Sequence, residues 1–307
     1  MSMKFGRAYC VELSKPVSPY RARELFTDED SDFYGRELKF NCEDPKCRAE
    51  LTPVGIYMAR RSKRAIHFRT KEEHKPDCGF LQPGGGGKVR KPSEHEDDYK
   101  LTDFPTELDL NPPKRKGSGS GSTEGSDDDE GASGGAGGTH SGGDRRKTNS
   151  RTRYLDLVVD CFLSGDEHGK QGKLTIDGKT KPFVRFFKKI QYFGDEPGLI
   201  YYGPIDRLET YNGKQIGLRF ADSVWVEKRP YRIWVHISQE VIDAASRKKA
   251  FLTEMQELKK AVGNQEPVFA YFVGAYPTKT TVTRDGKTFD LYSAELLSVN
   301  HLSLTFS

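Results

Sequence analysis

The stretch Cys42-Glu43-Asp44-Pro45-Lys46-Cys47, answered further along by His74-Lys75-Pro76-Asp77-Cys78, decides how the first third of this chain folds. Pro45 and the acidic residues between the first two thiols forbid a continuous helix or strand, so the pair sits in a turn. The second group sets a His and a Cys on either side of a Lys-Pro-Asp turn. Two short-spaced pairs of soft ligands joined by a longer loop are what a tetrahedral Zn²⁺ site needs. Cys42, Cys47, His74 and Cys78 are therefore expected to form a closed Cys₃His structural zinc site. The alternatives are unrelated buried thiols, which behave as small hydrophobes, or a disulfide. Against both, these cysteines lie among Asn41, Glu43, Asp44, Lys46, Arg48, Lys75 and Asp77. His67 rivals His74 as a ligand, but it precedes Phe68 in a strand-like run and is expected to pack beside the site. A filled site leaves no open coordination position, so it would hold the fold together and carry out no hydrolysis.

The run Phe40-Asn41-Cys42…Cys47…Leu51-Thr52-Pro53-Val54…Ile66-His67-Phe68…His74…Cys78 resembles the zinc-finger-like N-terminal region of bacterial competence-protein (CoiA)-like families. The resemblance covers about residues 1–80 and implies zinc, a DNA-handling context and a bacterial host. This chain departs from the pattern in having four residues, not two, between the first cysteines. The nuclease domain that follows in those families has no counterpart here.

With 307 residues and 34.6 kDa, the chain is long enough for two cores. A mean hydropathy of −0.73 is low for one compact globule, as a low-complexity segment would make it. The net charge of +4 permits a nucleic-acid partner without demanding one. Residues Met1 to Arg7 carry no apolar leader and no 18-residue apolar run occurs, so no membrane association is expected. Five cysteines, an odd number, without a secretion signal point to the reducing cytoplasm.

Along the chain, residues 5–12 read as a strand, and Ser18 caps a helix that begins at Pro19. Strands are expected at 37–41, 54–58 and 64–68. Between the last two, the cations Arg60, Arg61, Lys63 and Arg64 form either a solvated turn or a phosphate-contacting tip. The zinc module spans residues 1–83. Residues 84–151 are a low-complexity, Gly/Ser/Asp-rich linker; from Asn111 to Arg151 too little apolar surface can be buried to offset chain entropy. A flexible linker of about 40 residues has a reach of roughly 35 Å. A helical segment at 152–197 follows, with one helix from Leu155 to Phe162. An Asp177-Gly178 hairpin comes next, then a second helix carrying Phe183, Phe186, Phe187 and Ile190.

From Gly198 the pattern changes to strands at 199–202, 215–220 and 231–237. A helix from about Ser246 to Val262 leads to strands at 268–276, 292–299 and 301–306. Strands, one helix, then closing strands resemble the OB-fold, a small Greek-key barrel, over residues 198–307. The expected fold class is α+β in two domains. Such a barrel binds single strands with a basic groove and aromatic faces on which bases stack. Trp225, Arg229, Tyr231 and Arg232 are the main candidates, because aromatics and cations interleave in what should be a loop. Trp234, between Ile233 and Val235, reads as core. No phosphate loop, nucleophile elbow or His-Glu-x-x-His motif occurs, so no enzyme is expected. The expected function is a zinc-containing accessory protein that binds single-stranded DNA or RNA in DNA processing, uptake or defence. Two rivals remain: a protein-interaction adaptor docking a partner enzyme through the barrel, and a cryptic metal-dependent nuclease using Asp156 and Asp160.

Overall fold

The computed structural model describes residues 4–62, 64–70, 73–79, 104–111, 151–164, 167–194, 196–211, 215–284 and 286–307. The fold is mixed α+β, with three sheets and few helices.

The first sheet is a run of short strands: β1 (Lys4–Phe5), β2 (Ala8–Cys10), β3 (Lys15–Val17), β4 (Phe40–Asn41), β5 (Glu50–Val54) and β6 (His67–Thr70). They lie in the order β1-β6-β5-β4-β2-β3. Helix α1 (Pro19–Thr27) starts where the sequence places it. Pro19 occupies the first turn, where no N–H is needed, and the Ser18 hydroxyl accepts from the Arg21 N–H at 3.1 Å. Tyr20, Ala22 and Leu25 from this helix join Phe40, Leu51, Ile56, Ile66 and Phe68 in a small core. The strand expected at 54–58 lies earlier, at Glu50–Val54, since Gly55 (φ +73°) turns the chain.

A second, four-stranded sheet holds β7 (Glu107–Leu108), β8 (Arg151–Thr152), β9 (Lys173–Ile176) and β10 (Lys179–Pro182). The β9–β10 hairpin turns at Asp177-Gly178. Both residues have positive φ (49° and 73°), as a two-residue turn of this hand requires. Strand β7 corrects the expectation of an unbroken linker over 84–151. Residues 104–111 belong to the folded body because Leu108 is buried and the Phe104 ring packs edge-on against Phe183 at 5.0 Å. Strands β7 and β8 pair in parallel and the Asp109 N–H donates to the Thr152 carbonyl at 2.7 Å. The chain thus leaves at Asn111 and re-enters at Arg151 beside its point of exit. The rest of the linker lies outside the described residues.

The segment 152–197 is less helical than expected. Helix α2 (Leu155–Leu163) and the short α3 (Glu167–Lys170) are present, but Phe183–Ile190 is not one helix. Phe183–Phe186 is a 3₁₀ turn, Phe187–Lys189 is strand β11, and Ile190–Tyr192 is another 3₁₀ turn. An i, i+3 apolar repeat fits a 3₁₀ turn as well as an α-helix. Here the edge of the large sheet captures Phe187–Lys189, in parallel register with Ile200–Tyr202.

The third sheet contains β11 and β12 (Ile200–Tyr211), β13 (Gln215–Val226), β14 (Arg229–Ser238), β15 (Val268–Phe272), β16 (Thr278–Arg284), β17 (Lys287–Leu296) and β18 (Leu302–Phe306). Its path is β16-β17-β14-β13-β12-β15-β18, with β11 on β12. After β14, the short α4 (Gln239–Asp243) and α5 (Lys248–Gly263) intervene. Then β15 returns antiparallel to β12, while β17 runs parallel to β14. Helix α5 buries Phe251, Met255, Leu258 and Ala261; Gly263 is its last residue and Asn264 its cap. The segment Trp225–Arg232 is not a loop. It is the tip of the β13–β14 hairpin, closed by Glu227 and Lys228 alone, both at positive φ (50° and 65°). Strand β16, unforeseen in the sequence, forms a hairpin with β17.

The two apolar cores meet across a polar interface, and Leu157 packs against both. Arg61 is 3% exposed and sits at ion-pair distance from Asp156 (2.9 Å) and Asp160 (3.1 Å) of α2. The Tyr20 hydroxyl donates to Asp160 at 2.7 Å, and Arg23 pairs with Glu254 of α5 at 3.1 Å. Arg153 pairs with Glu24 at 2.7 Å. The Phe306 N–H donates to the Arg61 carbonyl at 2.8 Å, and Ser62 makes an isolated bridge to Phe306 on the edge of β18. The N-terminal sheet is docked on the rest of the chain, which replaces the picture of two bodies joined only by a tether. No helix among the described residues is long and apolar enough to cross a membrane.

Candidate metal centre and aromatic face

The four candidate metal ligands come together at the end of the first sheet. Strand β4 delivers Cys42, whose N–H donates to the Ala49 carbonyl at 2.8 Å. The chain then turns on Asp44, whose carbonyl accepts from the N–H groups of Cys47 and Arg48 at 3.1 Å each. Arg48 has a positive φ of 50°; its guanidinium lies 3.5 Å over the Tyr9 ring and donates to the Cys42 and Glu43 carbonyls. In the second turn the Cys78 N–H donates to the Lys75 carbonyl at 2.9 Å. Asp44 ties the two turns together, accepting from the Gly79 N–H at 2.7 Å through one oxygen and from the Lys46 N–H at 2.9 Å through the other.

All four ligand atoms are buried and lie within 4.8 Å of one another. Cys42 Sγ is 3.7 Å from Cys78 Sγ; His74 Nδ1 is 3.3 Å from Cys47 Sγ and 3.4 Å from Cys78 Sγ. Tetrahedral zinc with bonds of about 2.3 Å to sulfur and 2.0 Å to nitrogen would have S–S edges of ~3.8 Å and S–N edges of ~3.6 Å. The observed separations are close to those edges. They are far too long for a disulfide at about 2.05 Å, and none of the five cysteines is in a disulfide. His67 lies apart in β6, with Nδ1 3.0 Å from the Ala65 carbonyl.

The thiols of the set differ in acidity. Burial pushes the Cys42 thiol well up, with the neighbouring Cys78 and Cys47 adding to the rise. Burial also opposes a Cys47 thiolate, yet N–H groups from Ala49 and Lys75 and the adjacent thiols outweigh it and hold Cys47 below its ordinary value. Burial disfavours the charged form of His74 and lowers its pKa, against a smaller opposing pull from Asp44. These residues could hold one divalent ion with no open position.

The cations expected at the tip between β5 and β6 do not share one role. Arg61 is the buried ion-pair partner described above, removed from any surface patch. Arg60 pairs with Glu266 and lies 5.0 Å over the Phe306 ring. Arg64 is exposed, and Lys63 lies outside the described residues.

On the β13–β14 hairpin, directly opposed residues share a face. One face presents, from the tip inward, Trp225 opposite Pro230, Ser223 opposite Arg232, Arg219 opposite Trp234, and Gly217 opposite His236. Trp225 is 68% exposed, and Arg229 and Arg232 are exposed beside it. Tyr231 points the other way, edge-on to Tyr292 at 5.8 Å, with Lys279 Nζ 5.4 Å from its ring. An open groove at the tip is lined by Tyr192, Val224, Trp225, Tyr276, Lys279 and Tyr292. Trp234 is only 8% exposed although it lies on the outer face, because His236 stacks on it at 5.9 Å and Tyr211 and Arg219 cover it. Nothing in the sequence singles out Tyr211, and His236 reads there as a satisfied barrel histidine; the available signal is Gly217 inside a strand, which marks a close approach.

No protein-family model matches the chain, and no curated protein matches it. Among solved structures, a small single-stranded DNA-binding protein from Streptomyces coelicolor aligns with 37% of this chain and 96% of its own, at 12% identity and a TM-score of 0.17.

Proposed function

We propose that this chain is a zinc-stapled, non-enzymatic protein that binds single-stranded DNA or RNA on the outer face of the β13–β14 hairpin. The observation that carries the reading is the line of aromatics and cations on that face: Trp225, then Arg232, Arg219 and the Trp234–His236–Tyr211 group. Four residues of β14 separate the rung of Trp225 from that of Trp234, about 13 Å at ~3.3 Å per residue. An exposed Trp at a hairpin tip offers a stacking face worth roughly 1–3 kcal/mol per base, and the adjacent arginines can neutralise phosphates. The strand order supports an OB-like barrel for the large sheet: a three-strand meander, a helix, a strand returning to β12 and one parallel to β14. The Cys₃His set would hold Zn²⁺ and fix the first sheet. An accessory role in DNA processing, uptake or defence rests on the resemblance of the first 80 residues alone.

Asp156 and Asp160, the carboxylate pair a metal-dependent nuclease would use, are held on Arg61, which favours a binding protein over an enzyme. One observation favours the adaptor reading: Val282 and Phe289 oppose each other on the β16–β17 hairpin and are 38% and 50% exposed. Fluorescence anisotropy of a labelled oligonucleotide at low salt separates the two. Saturable binding that weakens when Trp225 becomes Ala supports the first, and no binding leaves the adaptor reading standing.

A further inference from the structure

The inner end of that hairpin face differs from its tip. Gly217 lies opposite Glu209 of β12 on one side and His236 of β14 on the other, and His236 lies opposite Glu295 of β17. A Cβ on Gly217 would come within 2.8 Å of Tyr211 Cε2 and 3.2 Å of His236 Cε1, so both rings rest on bare backbone. Trp234 backs them, nearly parallel to His236 at 8°. Tyr211 remains 37% exposed and is the surface an incoming ring would meet.

Arg219 donates to both oxygens of Asp206, at 2.8 and 2.9 Å. Arg207 and Arg219 lie in the rung of Trp234, and Glu209 and Glu295 in the rung of His236. Glu209 pairs with Arg207 at 2.8 Å. Glu295 is exposed and makes no ion pair among the described residues. Its charge acts on the neighbouring His236, and an exposed carboxylate beside an aromatic platform repels phosphate and carbonyl oxygens and accepts from amino groups. Cytosine presents an amino donor at the position where thymine and uracil present a carbonyl oxygen.

Resting on the nucleic-acid reading above, we propose that Tyr211, His236 and Trp234 form a base-reading subsite and that Glu295 selects amino-bearing bases over thymine and uracil. The backbone would run on the side of the exposed Arg232 and present bases toward Tyr211. Indifferent single-strand binders draw their modest preferences from stacking and chain flexibility, so a hydrogen-bonded preference sets this subsite apart.

The test is a pair of anisotropy titrations of the full chain with oligodeoxycytidine and oligothymidine of equal length. Wild-type protein should bind the cytidine strand about tenfold more tightly, the scale of one hydrogen bond to a charged acceptor. Glu295→Gln, at an exposed position, should bring that ratio close to one. Tyr211→Ala should weaken both strands, and Trp225→Ala should weaken both while leaving the ratio intact. Equal affinities in the wild type, or a ratio untouched by Glu295→Gln, overturn the proposal but leave strand binding in place. Absence of binding to either strand removes both.

Discussion

Replacing Arg61 with Met tests the docking of the first sheet. Arg61 is 3% exposed and faces two carboxylates, of which Asp160 is fully buried. Breaking such a group by removing one partner costs about 3–5 kcal/mol, because a buried charge loses its compensation. The cost here has a ceiling, since Asp160 can take up a proton. Burial already pushes its carboxyl up to about 6, against the opposing pulls of Arg61 and Tyr20, and loss of the cation raises it further. Arg61→Met should therefore cost about 3 kcal/mol at neutral pH, and less in acid. The sign follows from linkage. A carboxyl raised in the folded state favours folding below its unfolded value of about 3.9, and that contribution is lost as pH rises through the folded value. The deficit of the variant should shrink as pH falls from 7 toward 5. Urea denaturation of both proteins at several pH values measures it. A deficit under about 0.5 kcal/mol at neutral pH, the size of an ordinary surface substitution, would mean that the ion-pair group does not form and that the first sheet is merely tethered. Loss of oligonucleotide binding with stability unchanged would return Arg61 to the surface patch that the sequence suggested.

Elemental analysis of untagged protein should find one Zn²⁺ per chain. Cys78→Ser should abolish the metal and unfold the first sheet, as seen in its near-ultraviolet signal, while His67→Ala should retain both; the reverse order would name the wrong histidine. Reversal of Arg229 and Arg232 to Glu should flatten the dependence of oligonucleotide affinity on salt, whereas Trp225→Ala should lower affinity at a nearly unchanged slope. Excision of residues 113–149, joined by a few glycines, should leave the melting temperature within a few degrees, because β7 and β8 hold the two ends side by side. A large drop would show that the segment contributes contacts of its own.

Local signals carried much of the fold. The Ser18-Pro19 helix start, the Asp177-Gly178 turn and the apolar stripe of α5 each depend on residues near in sequence, and the structure has all three. The clustering of Cys42, Cys47, His74 and Cys78 is legible for the same reason, since two tight turns dictate which side chains converge. What failed depends on distant partners. Arg61 reads as part of a solvated charge run until α2, far along the chain, supplies its carboxylates. Residues 104–111 carry Phe104, Leu108 and Leu110 but no apolar run of strand length, and they join a sheet because β9 offers an edge. The β13–β14 turn carries Glu227-Lys228 in place of the usual Asn-Gly, so nothing local announced a hairpin. Phe187 was assigned to a helix because its spacing fits one, and β12 pulled it into a sheet.

The docking changes what the metal centre can do for the candidate binding face. With a flexible tether, each site would act alone and gain only from effective concentration. With Arg61 and Ser62 fixed on α2 and on the edge of β18, the segment between β5 and β6 becomes part of the large sheet's boundary. That segment lies between two strands of the sheet that carries the Cys/His cluster. Metal loss that frees β5 and β6 should loosen Arg61 and bare the β18 edge, and unpaired edges invite association between chains. The centre would then serve the whole molecule, by keeping one sheet edge covered as well as by folding its own turns.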